Sequence, residues 1–391
     1  MKALVFERDV ARFAAARVAG AIVPGRGASH GPLRLRRTDP PEAPGEGWVA
    51  VRPRLSGICG SDLATIDGRA SRYFEPVVSF PFVPGHEVVG DLDDGTRVVI
   101  ESVLGCEARA ITPRCPACAR GDVAGCRNVA FGHLEPGLQT GFCEETGGGW
   151  STLLRAHTSQ LRPVPDELSD EAAVMIEPTA CALRGAFAAV ESVPTTVAVV
   201  GSGALGLLTI AALRHLGPDL TVLASARYPT QRRLAAELGA DQVLAPEELL
   251  RAVRATTGSM RIGDQLTGGA DAVVDCVGSA ESIAQSLAVT RPRGTVVLTG
   301  MPGTVSVDLT GLWHKELRLA GAYAYGVEAD GRRTFDHALD LVIAADLGRL
   351  LSATYPLDRY REAVEHAAQA GPRGAVRIAF DLRDEKERDN L

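Results

Sequence analysis

Cys59 and His86 lie in two short motifs whose residues could together bind a catalytic metal ion. Cys59 belongs to the run GICGSDL, and His86 is followed by Glu87 in the run PGHEVVG. A thiolate, an imidazole and carboxylates in one cleft can hold Zn²⁺ and leave one coordination position open for water or a substrate oxygen. Glu177, in the run IEPTA, could supply a further ligand or hold the zinc-bound water. Because a lone Cys or His is more often a packing residue, the prediction of a catalytic zinc rests on the whole set.

Four further cysteines crowd into one short loop. Cys106, Cys115, Cys118 and Cys126 follow the spacing C-x8-C-x2-C-x7-C in a segment that contains Gly and Pro. Four thiolates complete a tetrahedral shell around Zn²⁺ with no open position, which makes such a site structural. In a chain without the features of a secreted protein, this crowding indicates metal rather than disulfides. We therefore predict a structural zinc lobe over about residues 105–127, with four free thiols as the alternative.

A glycine-rich turn follows the strand-like run TVAVV and opens an apolar helical run. Its residues are Gly201, Ser202, Gly203, Ala204, Leu205 and Gly206. In a GxGxxG motif between strand and helix, the first glycine permits a tight turn, the second lets the backbone approach a pyrophosphate, and the third allows close helix packing. The unpaired N–H groups at the start of the helix favour the phosphates. The motif predicts a dinucleotide site, and the alternative is a connector without a ligand.

The end of the next strand indicates which dinucleotide is bound. NAD-binding folds usually carry Asp or Glu about 20 residues after the turn, to hold the ribose hydroxyls. Here the run is LASAR, which offers Ser225 and Arg227 but no carboxylate. A serine hydroxyl and a guanidinium can bind a 2′-phosphate. The sequence therefore favours NADP(H), with NAD(H) as the alternative.

These motifs need two domains to position them. The chain has 391 residues, more than one hydrophobic core usually holds. Short apolar runs broken by Gly and Pro over residues 48–161 predict a β-rich domain, and strand and helix patterns alternate after residue 165. That alternation predicts a doubly wound parallel sheet, so the fold class is α/β. Residues 9–44 show no sustained periodicity and are expected to form a loop or insertion.

Composition limits the class of protein. The chain is 46% hydrophobic and 23% charged with a net charge of −7, which indicates a folded globular protein and argues against nucleic-acid binding. It contains no uninterrupted apolar run of about 18 residues, so no membrane span is expected. Its start lacks the order of a secretory signal, and we expect a cytoplasmic location.

The motifs GICGSDL, PGHEVVG, the four-cysteine lobe, IEP and GSGALG occur in an order similar to that of the zinc-dependent medium-chain dehydrogenases, the superfamily of alcohol, sorbitol and threonine dehydrogenases. The resemblance extends over nearly the whole chain. It implies a GroES-like, β-rich catalytic domain from residues 1–165 and 331–391, and a Rossmann dinucleotide-binding domain from residues 166–330. It also implies a homodimer or homotetramer.

The resemblance further implies roles for individual residues. Cys59 and His86 match zinc ligands, and Glu87 matches the acidic residue that either binds or supports the metal. Glu177 matches the acidic position of the sorbitol and threonine dehydrogenase branch. Ser61 matches the hydroxyl that relays the substrate proton. Whether Glu87 or Glu177 binds the catalytic zinc directly stays open.

The resulting hypothesis is a zinc-dependent oxidoreductase that transfers a hydride between NADP(H) and a secondary alcohol or polyol, or the matching ketone or aldehyde. Its substrate is then a small alcohol or carbonyl compound. One alternative is an NAD-preferring polyol or threonine-type dehydrogenase. The other is a catalytically silent nucleotide-binding relative.

Overall fold

The computed structural model describes residues 1–384, which divide into two compact units. Among the described residues, unit 1 contains Met1–Glu177 and residues 325–384, and unit 2 contains Pro178–Ala324. These units are defined by compactness. The domain limits expected at residues 165/166 and 330/331 refer to domains that fold independently, and they stay a prediction.

Strands and helices are numbered along the chain. The strands are β1 (Lys2–Phe6), β2 (Leu33–Arg37), β3 (Trp48–Gly57), β4 (Val88–Asp91), β5 (Arg97–Ile100), β6 (Leu154–His157), β7 (Leu161–Pro163), β8 (Thr196–Val200), β9 (Thr221–Ser225), β10 (Gln242–Leu244), β11 (Arg261–Ile262), β12 (Gln265–Leu266), β13 (Ala270–Asp275), β14 (Thr290–Leu298), β15 (Arg318–Gly321), β16 (Leu351–Tyr355) and β17 (Arg377–Asp381). The helices are α1 (Val10–Ile22), α2 (Gly27–His30), α3 (Gly60–Ile66), α4 (Pro116–Ala119), α5 (Asp170–Ala173), α6 (Ile176–Val190), α7 (Ala204–Leu216), α8 (Pro229–Glu237), α9 (Leu249–Thr257), α10 (Ala280–Val289), α11 (Thr310–His314), α12 (Thr334–Ala344) and α13 (Tyr360–Ala368).

Unit 1 is built on a seven-stranded sheet in the order β16-β17-β3-β4-β5-β7, with β6 pairing β3. The pairs from β17 to β7 are antiparallel, and β16 and β17 run parallel. Strand β17 lies directly against β3, and Leu4 of β1 shares a core with Phe380 of β17. That core includes Phe82, Trp150 and Phe380, all at most 2% exposed.

Unit 2 contains a parallel sheet in the order β10-β9-β8-β13-β14-β15. Strand β8 is buried along its whole length, as expected for a central strand covered on both faces. In this order the chain direction across the sheet reverses between β8 and β13. Ligands of doubly wound sheets bind outside the carboxyl ends of the strands at such a switch point. The predicted α/β fold class is confirmed.

The loop interpretation of residues 9–44 is wrong. The segment contains α1, the short α2 and strand β2, which pairs antiparallel with β1. Asp9 caps α1, because its side chain accepts the N–H of Arg12. Ala16 and Gly20, four residues apart, form the buried face of α1. That face consists of small residues only, and for this reason hydrophobic periodicity could not show it.

The helical N-terminal segment is attached to the end of α3 through Asp67. The carboxylate of Asp67 is fully buried and accepts the N–H groups of Gly25 and Gly27 at 2.9 and 3.1 Å. Gly20 packs so closely there that a Cβ atom would lie 2.6 Å from the Asp67 Cγ. The segment is therefore an integral part of unit 1 beside the helix that follows Cys59.

We expect Asp67→Ala to lower the stability of unit 1 by about 2–4 kcal/mol, because two buried N–H groups lose their acceptor. The measurement is thermal unfolding of the full chain. Asp94→Ala is the matched control, since Asp94 accepts the N–H of Thr96 at an exposed turn of the same unit. Equal melting temperatures for the two variants would contradict the role given to Asp67.

One described helical stretch has the length and composition of a membrane span. It covers Asp170–Val190, with a mean hydropathy of 1.3, and 72% of its most apolar part is buried inside the protein. Such burial is typical of a core helix.

Candidate functional site

Cys59 stands at the junction between β3 and α3, where the backbone changes from extended to helical. It is the residue that caps α3, and its N–H donates to the Asp62 carboxylate at 3.0 Å. An acidic residue in the first turn suits this position because the helix N-terminus favours negative charge. The cap holds Cys59 and Ser61 in fixed positions at the start of α3.

His86 and Glu87 come directly before β4, the antiparallel neighbour of β3. The register places Ser56 opposite Val88, and the N–H of Gly57 donates to the Glu87 carbonyl at 2.8 Å. Gly85 has a φ of +98°, and a Cβ atom there would lie 2.8 Å from the Ser56 Oγ. Sheet pairing and this close approach therefore bring the PGHEVVG motif beside Cys59.

Cys59, His86 and Glu87 form a compact ligand group. One donor atom from each lies within 4.8 Å of the others. His86 and Glu87 are buried and Cys59 is half-buried. The Ser61 Oγ lies 3.5 Å from the His86 Nε2. These are the residue types of a zinc site with an open position.

Asp62 is a functional candidate that the sequence analysis missed. Its carboxylate is buried and its Oδ1 lies 3.6 Å from the His86 Nδ1. A carboxylate on one nitrogen of a metal-binding histidine orients the ring and leaves the other nitrogen for the metal. Asp62 was visible in the run GICGSDL, three residues after Cys59, but its part in orienting His86 depends on the placement of β4.

Arg377 is the second residue that sequence reasoning missed. It opens β17, is buried, and forms an ion pair with Glu87. Only the pairing of β17 with β3 brings it to the site, from nearly 300 residues away along the chain. One arginine in a chain with 41 basic residues carried no signal of this role.

The electrostatics of this group fit a bound cation. Burial raises the pKa of the Cys59 thiol, and the nearby Arg377 guanidinium opposes that increase. Burial also raises the pKa of Asp62. A metal ion favours the thiolate and compensates the negative charge of buried carboxylates, which is why metal binding releases protons. The residues present therefore fit Zn²⁺.

Glu177 stands near this group but outside it. It lies in the first turn of α6 and is 5% exposed. The 4.8 Å group contains Cys59, His86 and Glu87 without it. Its negative charge nevertheless raises the pKa of Cys59. Glu87 therefore belongs to the compact donor group and Glu177 does not, while direct binding of a metal by either acid stays a prediction.

The four lobe cysteines come together as a second group. Cys106, Cys115, Cys118 and Cys126 are buried, with their sulfur atoms within 4.8 Å of one another. The Cys106 Sγ accepts the Cys115 N–H at 3.3 Å and the Asn128 Nδ2 at 3.2 Å. Although burial raises it, hydrogen bonds from the backbone and from neighbouring thiols lower the pKa of Cys115 to about 6. Burial raises the pKa of Cys118 and Cys126, so a bound cation would be needed to hold all four sulfur atoms as thiolates. Four buried sulfur donors so close together fit a closed tetrahedral zinc site.

Arg109, in the long spacer after Cys106, fastens the spacer to the chain on either side of the four cysteines. Its guanidinium is fully buried. It donates to five backbone carbonyls, those of Leu104, Phe131, Leu134, Glu135 and Gly137. The spacer folds back at once, since the Ile111 N–H donates to the Cys106 carbonyl at 2.9 Å. The eight residues between Cys106 and Cys115 therefore form a compact turn.

In unit 2 the glycine-rich turn connects β8 to α7. Gly201 has a φ of +87°, and Gly203 caps α7, whose first turn contains Ala204, Leu205 and Gly206. A Cβ atom on Gly206 would lie 2.9 Å from the carbonyl carbon of Gly201. A Cβ atom on Gly203 would meet nothing within 4 Å, so the approach to the helix N-terminus is open. These are the properties that a pyrophosphate site needs.

Ser225 and Arg227 lie at the end of β9 in different environments. Ser225 is 1% exposed, its hydroxyl accepts the Gly201 N–H at 3.0 Å, and its carbonyl accepts the Ser202 hydroxyl at 2.9 Å. Arg227 is exposed. Ser225 therefore supports the glycine-rich turn, and Arg227 is the group available to a phosphate.

Comparison with known proteins gives a consistent family. Residues 45–166 match the Alcohol dehydrogenase GroES-like domain and residues 204–344 match the Zinc-binding dehydrogenase family. The chain is 30% identical to the Mycobacterium tuberculosis protein named "Probable alcohol dehydrogenase adh", over 85% of this chain and 90% of that protein. It is 26% identical to L-idonate 5-dehydrogenase of Vitis vinifera, over 85% and 88% of the two chains. A structure from Sinorhizobium meliloti 1021, described as a zinc-binding dehydrogenase bound to NADP, superposes with a TM-score of 0.69 at 28% identity, covering 89% of this chain and 96% of that one.

Proposed function

Because this chain belongs to the zinc-dependent medium-chain dehydrogenase family, we propose that it transfers a hydride between NADP(H) and a secondary alcohol or polyol, or the matching ketone or aldehyde. Its named relatives are alcohol, sorbitol and idonate dehydrogenases, so the chain is an oxidoreductase of that type. The observation that carries the finer proposal is the group of Cys59, His86 and Glu87, whose donor atoms lie within 4.8 Å.

The two ligand groups have different roles in the proposal. Cys59, His86 and Glu87 would hold a catalytic zinc, with Glu177 as a nearby acidic residue. The four lobe cysteines would hold a structural zinc. Zinc in the first group would supply Lewis acidity, and the nicotinamide would accept or donate the hydride.

The chain's own residues supply orientation and proton transfer. Asp62 fixes the ring of His86 by facing its Nδ1, so that Nε2 remains on the side of Ser61. During oxidation Ser61 would accept the proton of the substrate hydroxyl while passing its own proton outward towards solvent, and the two transfers would run in reverse during reduction. Arg377 holds the Glu87 carboxylate in place through their buried ion pair. The cap between Cys59 and Asp62 keeps the start of α3 rigid, which favours a fixed reacting geometry.

The proposed preference for NADP(H) rests on Arg227. Its exposed guanidinium at the end of β9 can pair with a 2′-phosphate, and no carboxylate occupies the LASAR run. The Ser225 hydroxyl accepts the Gly201 N–H and is therefore not directed at a 2′-phosphate. This observation supports the NAD(H)-preferring alternative. We further propose a cytoplasmic homodimer or homotetramer that acts on small molecules.

The test is metal analysis of the purified chain combined with kinetics on NADP⁺ and NAD⁺. We expect about two zinc ions per chain, and turnover of secondary alcohols or polyols. Arg227→Ala should lower the preference for NADP⁺ over NAD⁺ by about 10–100-fold, because a charged hydrogen bond to phosphate is lost. Arg233→Ala, an exposed arginine paired with Glu237 on α8, is the matched control.

Two other outcomes would change the proposal. An equal or better kcat/KM with NAD⁺ would establish the NAD-preferring alternative. Full zinc content without turnover of any alcohol or carbonyl compound would support a catalytically silent relative.

A further inference from the structure

Helix α1 presents an apolar face to solvent, on the side opposite to the one that it buries. Its buried residues are Ala16 and Gly20. At about 3.6 residues per turn, the opposite side of the helix consists of apolar residues only. These exposed residues are Val10, Ala11, Ala14, Ala15, Val18, Ala21 and Ile22. The three large side chains among them, Val10, Val18 and Ile22, are 80%, 64% and 73% exposed. The proposed function uses none of these residues.

Arginines surround this solvent-facing side of α1. Single exposed apolar residues are normal on a protein surface, whereas a continuous apolar face with a polar rim marks an interaction site. Arg12 and Arg17 stand at its two borders, and Arg8 and Arg26 lie beyond its two ends. The carboxylate of Asp9, which caps the helix, also pairs with Arg12 at 3.3 Å. Within residues 1–384, no carboxylate forms an ion pair with Arg8, Arg17 or Arg26.

The charge of the whole N-terminal segment has the opposite sign to that of the protein. Residues 8–37, which run to the end of β2, contain seven arginines and one aspartate, a net charge of +6, whereas the whole chain has −7. A cluster of this many arginines together with an exposed apolar helix face is typical of binding to anionic lipid. The apolar side chains enter the boundary between head groups and acyl chains, and the long arginine side chains reach the head groups.

The helix is already formed and fixed in position. Gly20, on its buried side, packs against Asp67, whose carboxylate holds Gly25 and Gly27 just beyond the helix. The solvent-facing side of α1 therefore belongs to a rigid element of unit 1. Binding through it requires no folding of the segment, which lowers the entropic cost of association.

A second copy of the chain and a nucleic acid fit this face less well. Two copies would bring the same arginines together, and like charges oppose association. The face is also small, since a helix of 13 residues is about 20 Å long and one side of it buries a few hundred Å² at most. Stable dimers bury about 800 Å² per partner. A nucleic acid would contact the arginines but would leave Val10, Val18 and Ile22 in water, because bases stack on aromatic side chains.

We propose that the solvent-facing side of α1 docks this enzyme on an anionic lipid surface. Val10, Val18 and Ile22 insert below the head groups, while Arg12 and Arg17 lie at the level of the negatively charged groups. The attachment is peripheral and reversible, because one short helix face and a few arginines bind a bilayer far more weakly than a membrane span does. This inference assigns an interaction surface and is independent of the redox chemistry.

The experiment measures cosedimentation of the full-length protein with vesicles of phosphatidylcholine alone or of equal parts phosphatidylcholine and phosphatidylserine. We expect binding to the mixed vesicles in low salt, little binding to pure phosphatidylcholine, and release in about 0.5 M NaCl, where the Debye length falls to a few ångströms. Val18→Glu should lower the partition coefficient by at least about tenfold, because it places a charge in the inserted face. Arg17→Gln should lower it by about fivefold, since one arginine leaves the anionic surface.

Ile343→Glu is the matched control. Ile343 lies on α12 in the same unit and is 55% exposed, similar to Val18, so that both variants place a glutamate on a solvent-exposed helix. It should keep the wild-type partition coefficient. Thermal unfolding of each variant checks that the fold is unchanged.

Four results would overturn the proposal. Wild-type binding by Val18→Glu would show attraction by charge alone, and equal losses in Val18→Glu and Ile343→Glu would show an effect of net charge. Equal binding to the two kinds of vesicle would exclude recognition of anionic lipid. Absence of binding to the mixed vesicles would refute lipid docking, and a dimer that Val18→Glu dissociates would then assign the face to a second copy. Dehydrogenase activity is measured in solution without vesicles, so none of these results affects the proposed function.

Discussion

Replacing Cys59 with serine is expected to lower kcat/KM for alcohol oxidation by at least about 10³-fold, because the Lewis acid at the reacting centre is worth several kcal/mol. The variant should lose about one zinc ion per chain, since a neutral hydroxyl replaces a thiolate within the 4.8 Å group. The glycine-rich turn belongs to unit 2, so binding of NADPH, followed by its fluorescence, should stay close to wild type.

Asp62→Asn supplies the graded comparison. It keeps an oxygen near the His86 Nδ1 but removes the charge, and loss of such an outer contact typically lowers activity or metal affinity by about 10–100-fold. Cys59→Ser should therefore be much the more severe variant. Normal turnover by Cys59→Ser with a full zinc content would exclude Cys59 as a ligand. A parallel loss of NADPH binding would point to general unfolding instead.

Most of the candidate site was visible in the sequence because the chemistry depends on local runs. Cys59 and Ser61 share one capped helix start, and Gly201 to Gly206 form one strand-to-helix turn. In each case the residues that act together are within a few positions of one another. Their spacing could therefore be interpreted before the structure was known.

Contacts across the sheet could not be predicted in this way. Arg377 reaches Glu87 only because β17 pairs with β3, and this register is set by the burial of whole strands. Phe142 contacts His86 only because backbone hydrogen bonds fix its loop to Pro84 and Gly85. Neither residue has a distinctive local sequence. To find them, one would have needed to know which strands and loops lie next to each other in the fold.

Ser225 and the N-terminal segment show two further limits of the sequence. The LASAR run correctly indicated a position at the end of β9, but side-chain direction alternates along a strand and turns the Ser225 hydroxyl inward. Helix α1 was missed because its buried face consists of Ala16 and Gly20. Small residues bury little apolar area, and the pattern therefore resembles that of a loop.

Cys106 is the lobe cysteine with the least regular spacing, and its replacement gives the second large expected effect. Cys106→Ser should remove about one zinc ion per chain and lower the melting temperature by about 10 °C, because the metal supplies most of the stability of such a lobe. The apolar cluster of the lobe is small: besides the four cysteines it contains Ala117, with Ile111 and Val129 packed against it. We therefore expect this cluster alone to hold the loop poorly.

Cys143→Ser is the matched control for that variant. Cys106 and Cys143 are both fully buried in unit 1, but Cys143 lies outside both ligand groups. A general penalty for placing a hydroxyl in a buried thiol position would affect both variants alike. Loss of zinc and of thermal stability in Cys106→Ser alone would establish Cys106 as the fourth ligand. If Cys106→Ser retained both zinc ions and its melting temperature, the site would need another donor, and the turn closed by the hydrogen bond from the Ile111 N–H to the Cys106 carbonyl would have only a packing role.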